Sequence, residues 1–118
     1  MPGMSIHVVD VARGVVAAGM AVEIAIIADT GARRVIASGR ISGKGTLDHA
    51  ALASMLEAGC YQAVFQVSDY YRAAGVTLPV VPFLGAVSYD FGIADPSQHY
   101  HLPFKCTPWG YSCFRGGA

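Results

Sequence analysis

The sequence predicts an antiparallel β-sandwich, and three observations carry that prediction. Short runs rich in β-branched and aromatic residues recur along the chain, giving about seven or eight strands. Turn signals separate these runs at intervals of roughly ten residues. Helical signal is confined to one short segment and a weaker neighbour. The 118 residues suit a single domain spanning 1–118, with no internal repeat, linker or low-complexity stretch to divide it.

Taken in order, residues 5–10 (SIHVVD) form the first strand. Alternation sets Ser5, His7 and Val9 on one face and Ile6, Val8 and Asp10 on the other. Residues 12–14 and 17–19 read as turns. Residues 21–28 (AVEIAIIA) are a second strand, closed by the turn signal Asp29, Thr30, Gly31, and residues 33–40 (RRVIASGR) a third. In ISGKGTLD two glycines flank Lys44, which implies a tight turn with room for a very short strand beyond it. Residues 48–57 have the alanine and leucine content for a helical turn or two. Residues 60–67 (CYQAVFQV) alternate as a strand. Residues 68–75 (SDYYRAAG) form a short helix with Ser68 or Asp69 as N-cap and Gly75 at its end. Pro79 and Pro82 bracket an extended connection, and residues 86–93 are the next strand. After a turn at 94–97, residues 99–117 (HYHLPFKCTPWGYSCFRGG) supply the last two strands, joined at Pro108, Trp109 and Gly110.

Composition narrows the function classes. Apolar residues make up 53% of the chain and charged ones 14%, so part of the surface is expected to be buried in an oligomer. Net charge is zero, which argues against a nucleic-acid partner. The most apolar window, residues 14–28, contains Glu23 and falls short of the roughly 20 residues of a membrane span, so no membrane partner is expected. The N-terminus has no basic segment followed by an apolar core, so no secretory signal is expected. Cys60, Cys106 and Cys113 are odd in number and widely spaced, which fits reduced thiols and a cytoplasmic protein. SGKGT at 42–46 lacks the full phosphate-loop spacing, and no cofactor is expected.

The chemistry gathers at the end of the chain. His99 and His101 share a strand face; a metal would need further ligands at a recognisable spacing, His7 and His49 lie far away in sequence, and no metal is expected. Lys105 falls on the same face, either as a solvent-facing lysine or as part of a polar cleft with Ser112 and Arg115 nearby. The cysteines have no activating base at fixed spacing and read as inert, buried thiols.

HYHLPFKCTPWGYSCFRGG resembles the C-terminal signature of the 5-hydroxyisourate hydrolases, the enzyme branch of the transthyretin-related family. SIHVVDVARGVVAAGMAV is similar to the family's N-terminal Ser-Thr-His-Val-Leu-Asp motif, and EAGCYQAVFQVSDYY to its central strand and short helix. The similarity runs through nearly the whole chain. It implies a transthyretin-like sandwich of two four-stranded sheets with one short helix, and a homotetramer (a dimer of dimers) whose active sites lie in a channel between dimers. It further implies a small-molecule substrate, 5-hydroxyisourate, whose ring is opened by water. The family's two histidines match His7 and His101, and imidazole suits proton transfer at neutral pH. The non-enzymatic carrier, transthyretin, lacks this pair. A carrier of a planar ligand, or a hydrolase of another cyclic amide, are the alternatives.

The chain departs from the family pattern at several candidate substrate-binding positions. The family's arginine, in Asp-Gly-Arg, aligns without gaps to Thr46; Arg40 reaches that position only through an insertion, and Lys44 could supply a point charge instead. The family tail Tyr-Arg-Gly-Ser is Phe114, Arg115, Gly116 and Gly117 here, followed by Ala118. Thr107 keeps the hydroxyl of the family's serine, Trp109 replaces a tyrosine, and Lys105 replaces an apolar residue. Lost hydrogen-bonding groups and added apolar area would suit a substrate whose ring nitrogens are methylated.

Overall fold

The chain order is β1 (Gly3–Asp10), β2 (Val15–Val16), β3 (Ala21–Ile27), β4 (Arg33–Arg40), α1 (Ala50–Ala53), β5 (Gly59–Gln66), α2 (Val67–Ala73), β6 (Ala86–Ile93), β7 (His99–Thr107) and β8 (Gly110–Cys113). These come from a computed structural model that describes residues 2–117. The strands form two four-stranded sheets, ordered β2-β1-β7-β8 and β4-β3-β5-β6. The expected sandwich of two four-stranded sheets is therefore present.

Three features differ from the sequence reading. β1 pairs with β7 in parallel, from Gly3 opposite His99 to Asp10 opposite Cys106, while every other strand pair is antiparallel. Alternation reports which face a residue occupies but not the direction of its partner strand, so the parallel pair left no signal. β2 has only two residues, too few to alternate visibly. The helical turn expected across 48–57 shrinks to α1, which makes a second short helix beside α2. His49 caps α1 by accepting from the Ala51 N–H (3.1 Å). Ser54 ends it, adopting extended backbone while its hydroxyl donates to the Ala51 carbonyl.

The core lies between the sheets. Ile6, Val8, Leu102 and Phe104 point inward from one, Val22, Ile24, Ala63 and Phe65 from the other. The Phe65 and Phe104 rings stack across the gap with centroids 3.9 Å apart. At one end sits a fully buried carboxylate, Asp10. It accepts from the Tyr70 hydroxyl (2.9 Å) and the Tyr71 hydroxyl (2.7 Å), both on α2, and from the Arg13 backbone N–H (3.1 Å). Burial and the bond to Asp10 push the Tyr70 phenol up to about 12, and the same two causes raise Tyr71 further. Both tyrosines stay protonated donors, and the carboxylate is held by three N–H or O–H groups. This cluster ties the end of β1 to α2.

Burial also pushes the Cys106 thiol up to about 11 and the Cys113 thiol up to about 12, which keeps both protonated at neutral pH. Cys60, expected to be buried, is exposed. Among the described residues no helix is long and apolar enough to cross a membrane.

Removing the Asp10 carboxylate leaves the buried Tyr70 hydroxyl without its acceptor and the Tyr71 hydroxyl with Cys106 alone. Asp10→Ala should cost about 3 kcal/mol of stability and Tyr71→Phe about 1–2 kcal/mol. Urea unfolding at one fixed protein concentration tests this; equal losses for the two variants would contradict the buried-carboxylate account.

Candidate active site

The odd-numbered residues of β1 and β7 point away from the core and build a polar surface on the outer face of their sheet. Ser5, His7 and Val9 come from β1, and His99, His101, Pro103 and Lys105 from β7. In the parallel register Ser5 lies opposite His101 and His7 opposite Pro103. His7 and His101 are thus diagonal neighbours on adjacent strands, with Cα atoms roughly 8 Å apart by strand geometry.

Each histidine is flanked by a backbone segment that carries a glycine. Beside His7 runs the loop at 42–46. Its Gly45 carbonyl accepts from Val8 N–H (2.8 Å), Leu47 N–H donates to the Ile6 carbonyl (3.3 Å), and Thr46 forms a β-bridge with His7. Gly45 has φ +85°, and a Cβ there would sit 2.8 Å from His7 Nε2. Beside His101 runs the chain end. The β7–β8 ladder breaks after Phe104 and Cys113, next to Pro103, which has no N–H to give. It resumes when Gly116 N–H donates to the His101 carbonyl at 2.7 Å. A Cβ at Gly116 would lie 2.8 Å from His101 Cδ2. The chain end therefore folds against His101. Ala118 lies outside the described residues.

Ser5 and His99 also belong here, although the sequence reading gave neither a catalytic part. Ser5 Oγ lies 2.9 Å from His99 Nε2 and 2.6 Å from His101 Nδ1. Partial burial, then the neighbouring His7 and His99 rings, lower the pKa of His101 from its usual value, so it is neutral at neutral pH.

The other candidates divide. Thr46 is beside His7, and its hydroxyl is engaged by Asp48 Oδ1 (2.8 Å) and Ser42 Oγ (3.1 Å). Lys44 is exposed in the same loop. Phe114 stands by Lys105, with Nζ 5.8 Å from the ring centroid. Arg40 donates to the Gly19 carbonyl (2.9 Å) and lines a cavity of about 380 Å³ against α2 with Arg13 and Asp69. Arg115 stacks over Tyr100 at 4.0 Å and donates to Gln98. Thr107 accepts from Trp109 N–H in the β7–β8 turn, about 20 Å along β7 from His101. Among the described residues no group of three or more His, Cys, Asp or Glu side chains could hold a metal ion.

A β-sandwich of this topology, with paired histidines on the outer face of one sheet and the chain end folded over them, defines a transthyretin-like domain. The chain matches the HIUase/Transthyretin family over residues 4–116 and belongs to it. It is 39% identical to a 5-hydroxyisourate hydrolase of Ralstonia nicotianae, over 98% of this chain and 99% of that one. It is 37% identical to one of Deinococcus radiodurans, over 98% and 96%. Among solved structures it resembles Klebsiella pneumoniae 5-hydroxyisourate hydrolase (TM-score 0.78, 26% identity, 99% of this chain and 100% of that one). It also resembles (S)-allantoin synthase (TM-score 0.88, 26% identity), covering 98% of this chain and 43% of that one.

The lowered pKa of His101 has a signed consequence. The unfolded chain takes up this proton near pH 6.5, before the folded chain does. The contribution of His101 to stability is complete above that pH and is lost as pH falls toward the lower native pKa. An NMR titration of the histidine rings should show His101 titrating below 6.5; a midpoint at or above that value would contradict the environment described.

Proposed function

We propose that this protein is a hydrolase that opens the ring of 5-hydroxyisourate or a close analogue in purine catabolism, with His7 and His101 handling the attacking water. The observation that carries this is the placement of the two histidines as diagonal neighbours on one open sheet face. The names of the relatives support the substrate class. Water adds to a ring carbonyl, the C–N bond opens, and one proton passes from water to the departing nitrogen. Imidazole suits both halves of that transfer.

Around the pair, Thr46, Lys44, Gly116 and Phe114 form the substrate-binding set. Arg40 and Arg115 have guanidinium groups already bonded elsewhere. Thr107 joins the set only in an assembly that turns another subunit's β7–β8 turn toward the histidines. We read that assembly as a homotetramer. Apolar side chains left exposed support it, notably Val80, Val81, Phe83 and Trp109, with Phe83 and Trp109 rings 6.3 Å apart. The compartment proposed is the cytoplasm.

One observation favours a methylated substrate as a second reading. Where an arginine would steady developing negative charge, Thr46 stands hydrogen-bonded beside the carboxylate of Asp48. A ring with methylated nitrogens offers fewer N–H groups and does not ionise there, so it would lose less at such a site.

The test oxidises urate or trimethylurate enzymatically in the cuvette and follows the ultraviolet decay of each hydroxyisourate. The protein should accelerate at least one decay, and His7→Asn or His101→Asn should slow that reaction by about 100-fold or more. Thr46→Arg should shift preference toward the unmethylated ring. Decay of both compounds at the uncatalysed rate would leave the carrier, or another cyclic amide, in place of this reading.

A further inference from the structure

We propose that Ser5 is a positioning residue that fixes the tautomer of His101, so that His101 meets the substrate as a neutral hydrogen-bond donor through Nε2–H and His7 is left as the base. The inference rests on the hydrolase reading for its consequence, but not for its geometry.

A serine hydroxyl has one proton to give and lone pairs to accept with. Ser5 Oγ touches a ring nitrogen on each side, His99 Nε2 at 2.9 Å and His101 Nδ1 at 2.6 Å. The hydroxyl has one proton, so at least one ring must donate to it. If both rings donated, the Ser5 proton would have no acceptor among the described residues, and the 2.6 Å contact would be short for an N–H donor. Two arrangements use that proton between the rings. In one, His99 Nε2–H donates to Ser5, and Ser5 O–H donates to His101 Nδ1. The His101 proton then resides on Nε2. In the other the chain runs backward, and His101 Nδ1–H donates to Ser5.

Two independent observations choose the first. His99 Nδ1 is buried with no hydrogen-bond partner. The backward chain would place a proton on that atom and strand a buried N–H, whereas the forward chain leaves only a lone pair there. Stranded buried N–H groups are the rarer defect. The distances agree. N–H donors sit at about 2.9–3.0 Å from oxygen, and O–H donors come closer, at about 2.7–2.8 Å. The longer contact is the one where His99 N–H donates, and the shorter is the one where the hydroxyl donates.

Neutral His101 therefore presents Nε2–H. The titratable rings facing it are His99 on its own strand and His7 on β1, and both disfavour its protonation. When water attacks the ring carbonyl, a His7 nitrogen takes one water proton as the C–O bond forms. The carbonyl electron pair moves onto oxygen, where His101 Nε2–H donates to it. The carbonyl then re-forms, the C–N bond breaks, and the proton on His7 passes to the departing nitrogen. Atoms and charge balance with water alone. A fixed donor from His101 also supplies part of what Thr46, in place of an arginine, does not.

The test is nitrogen-15 NMR of the histidine rings in the whole protein, with steady-state kinetics on whichever hydroxyisourate is turned over. In the wild type His101 should carry its proton on Nε2 and leave Nδ1 bare. Ser5→Ala should let the His101 tautomer become mixed and lower kcat between about tenfold and a hundredfold, with KM changed much less. Ser5→Thr, which keeps the hydroxyl, should restore both. A wild-type proton on Nδ1, or an unchanged tautomer and kcat in Ser5→Ala, overturns the proposal. Should Ser5→Ala fail to fold, the wild-type spectrum still decides the tautomer and Ser5→Thr the role of the hydroxyl. Loss of the hydrolase reading would show as a wild type without turnover, whatever the spectrum says.

Discussion

The parallel pairing of β1 with β7 is the constraint on which the site depends. The two strands come from opposite ends of the chain, with Ser5 and His101 separated by 96 positions. Their register is set by the core. Ile6, Val8, Leu102 and Phe104 must face the opposite sheet, and the side-chain period of two then sends Ser5, His7, His99 and His101 outward together. A slip of one residue in either strand would turn its histidines into the core. The candidate site is thus a by-product of correct packing, held by apolar residues that stay between the sheets.

Two devices hold that register. The stacked Phe65 and Phe104 rings join the sheets near the middle of β7. The Asp10 carboxylate, bonded to both tyrosine hydroxyls of α2, fixes the far end of β1. The Tyr71 hydroxyl also donates to the Cys106 carbonyl, opposite Asp10 on β7, so one side chain ties both central strands to the helix. The end of β1 next to His7 and His101 is left free to carry polar groups.

Much of this was legible in the residues. Alternation in SIHVVD placed Ser5 and His7 on one face and Asp10 on the other. The ungapped alignment put Thr46 at the position of the family's arginine, and the structure places Thr46 in a β-bridge with His7. What escaped depended on partners distant in sequence. Ser5 looked like any polar residue in a half-exposed strand, because its meaning comes from a parallel neighbour that periodicity cannot reveal. Arg40 was a candidate only through an insertion that would bring it to the family's arginine position; the carbonyl of Gly19 holds it elsewhere. α1 was overextended because alanine and leucine favour helix, while Ser54 diverts the backbone by bonding to it.

The 42–46 loop is fastened to β1 through its main chain, by the Gly45 carbonyl and the Leu47 N–H. Glycine at 45 is required, but the side chains at 44 and 46 carry little of that attachment. Lys44 is exposed and the Thr46 hydroxyl bonds only to Ser42 and Asp48, so neither side chain joins the loop to β1, while a ligand at His7 would feel both. Evolution can exchange charge and hydrogen-bonding capacity there without first compensating for lost stability. A lineage confronted with a new ring would find its variation already accessible, two side chains from a histidine that need not move.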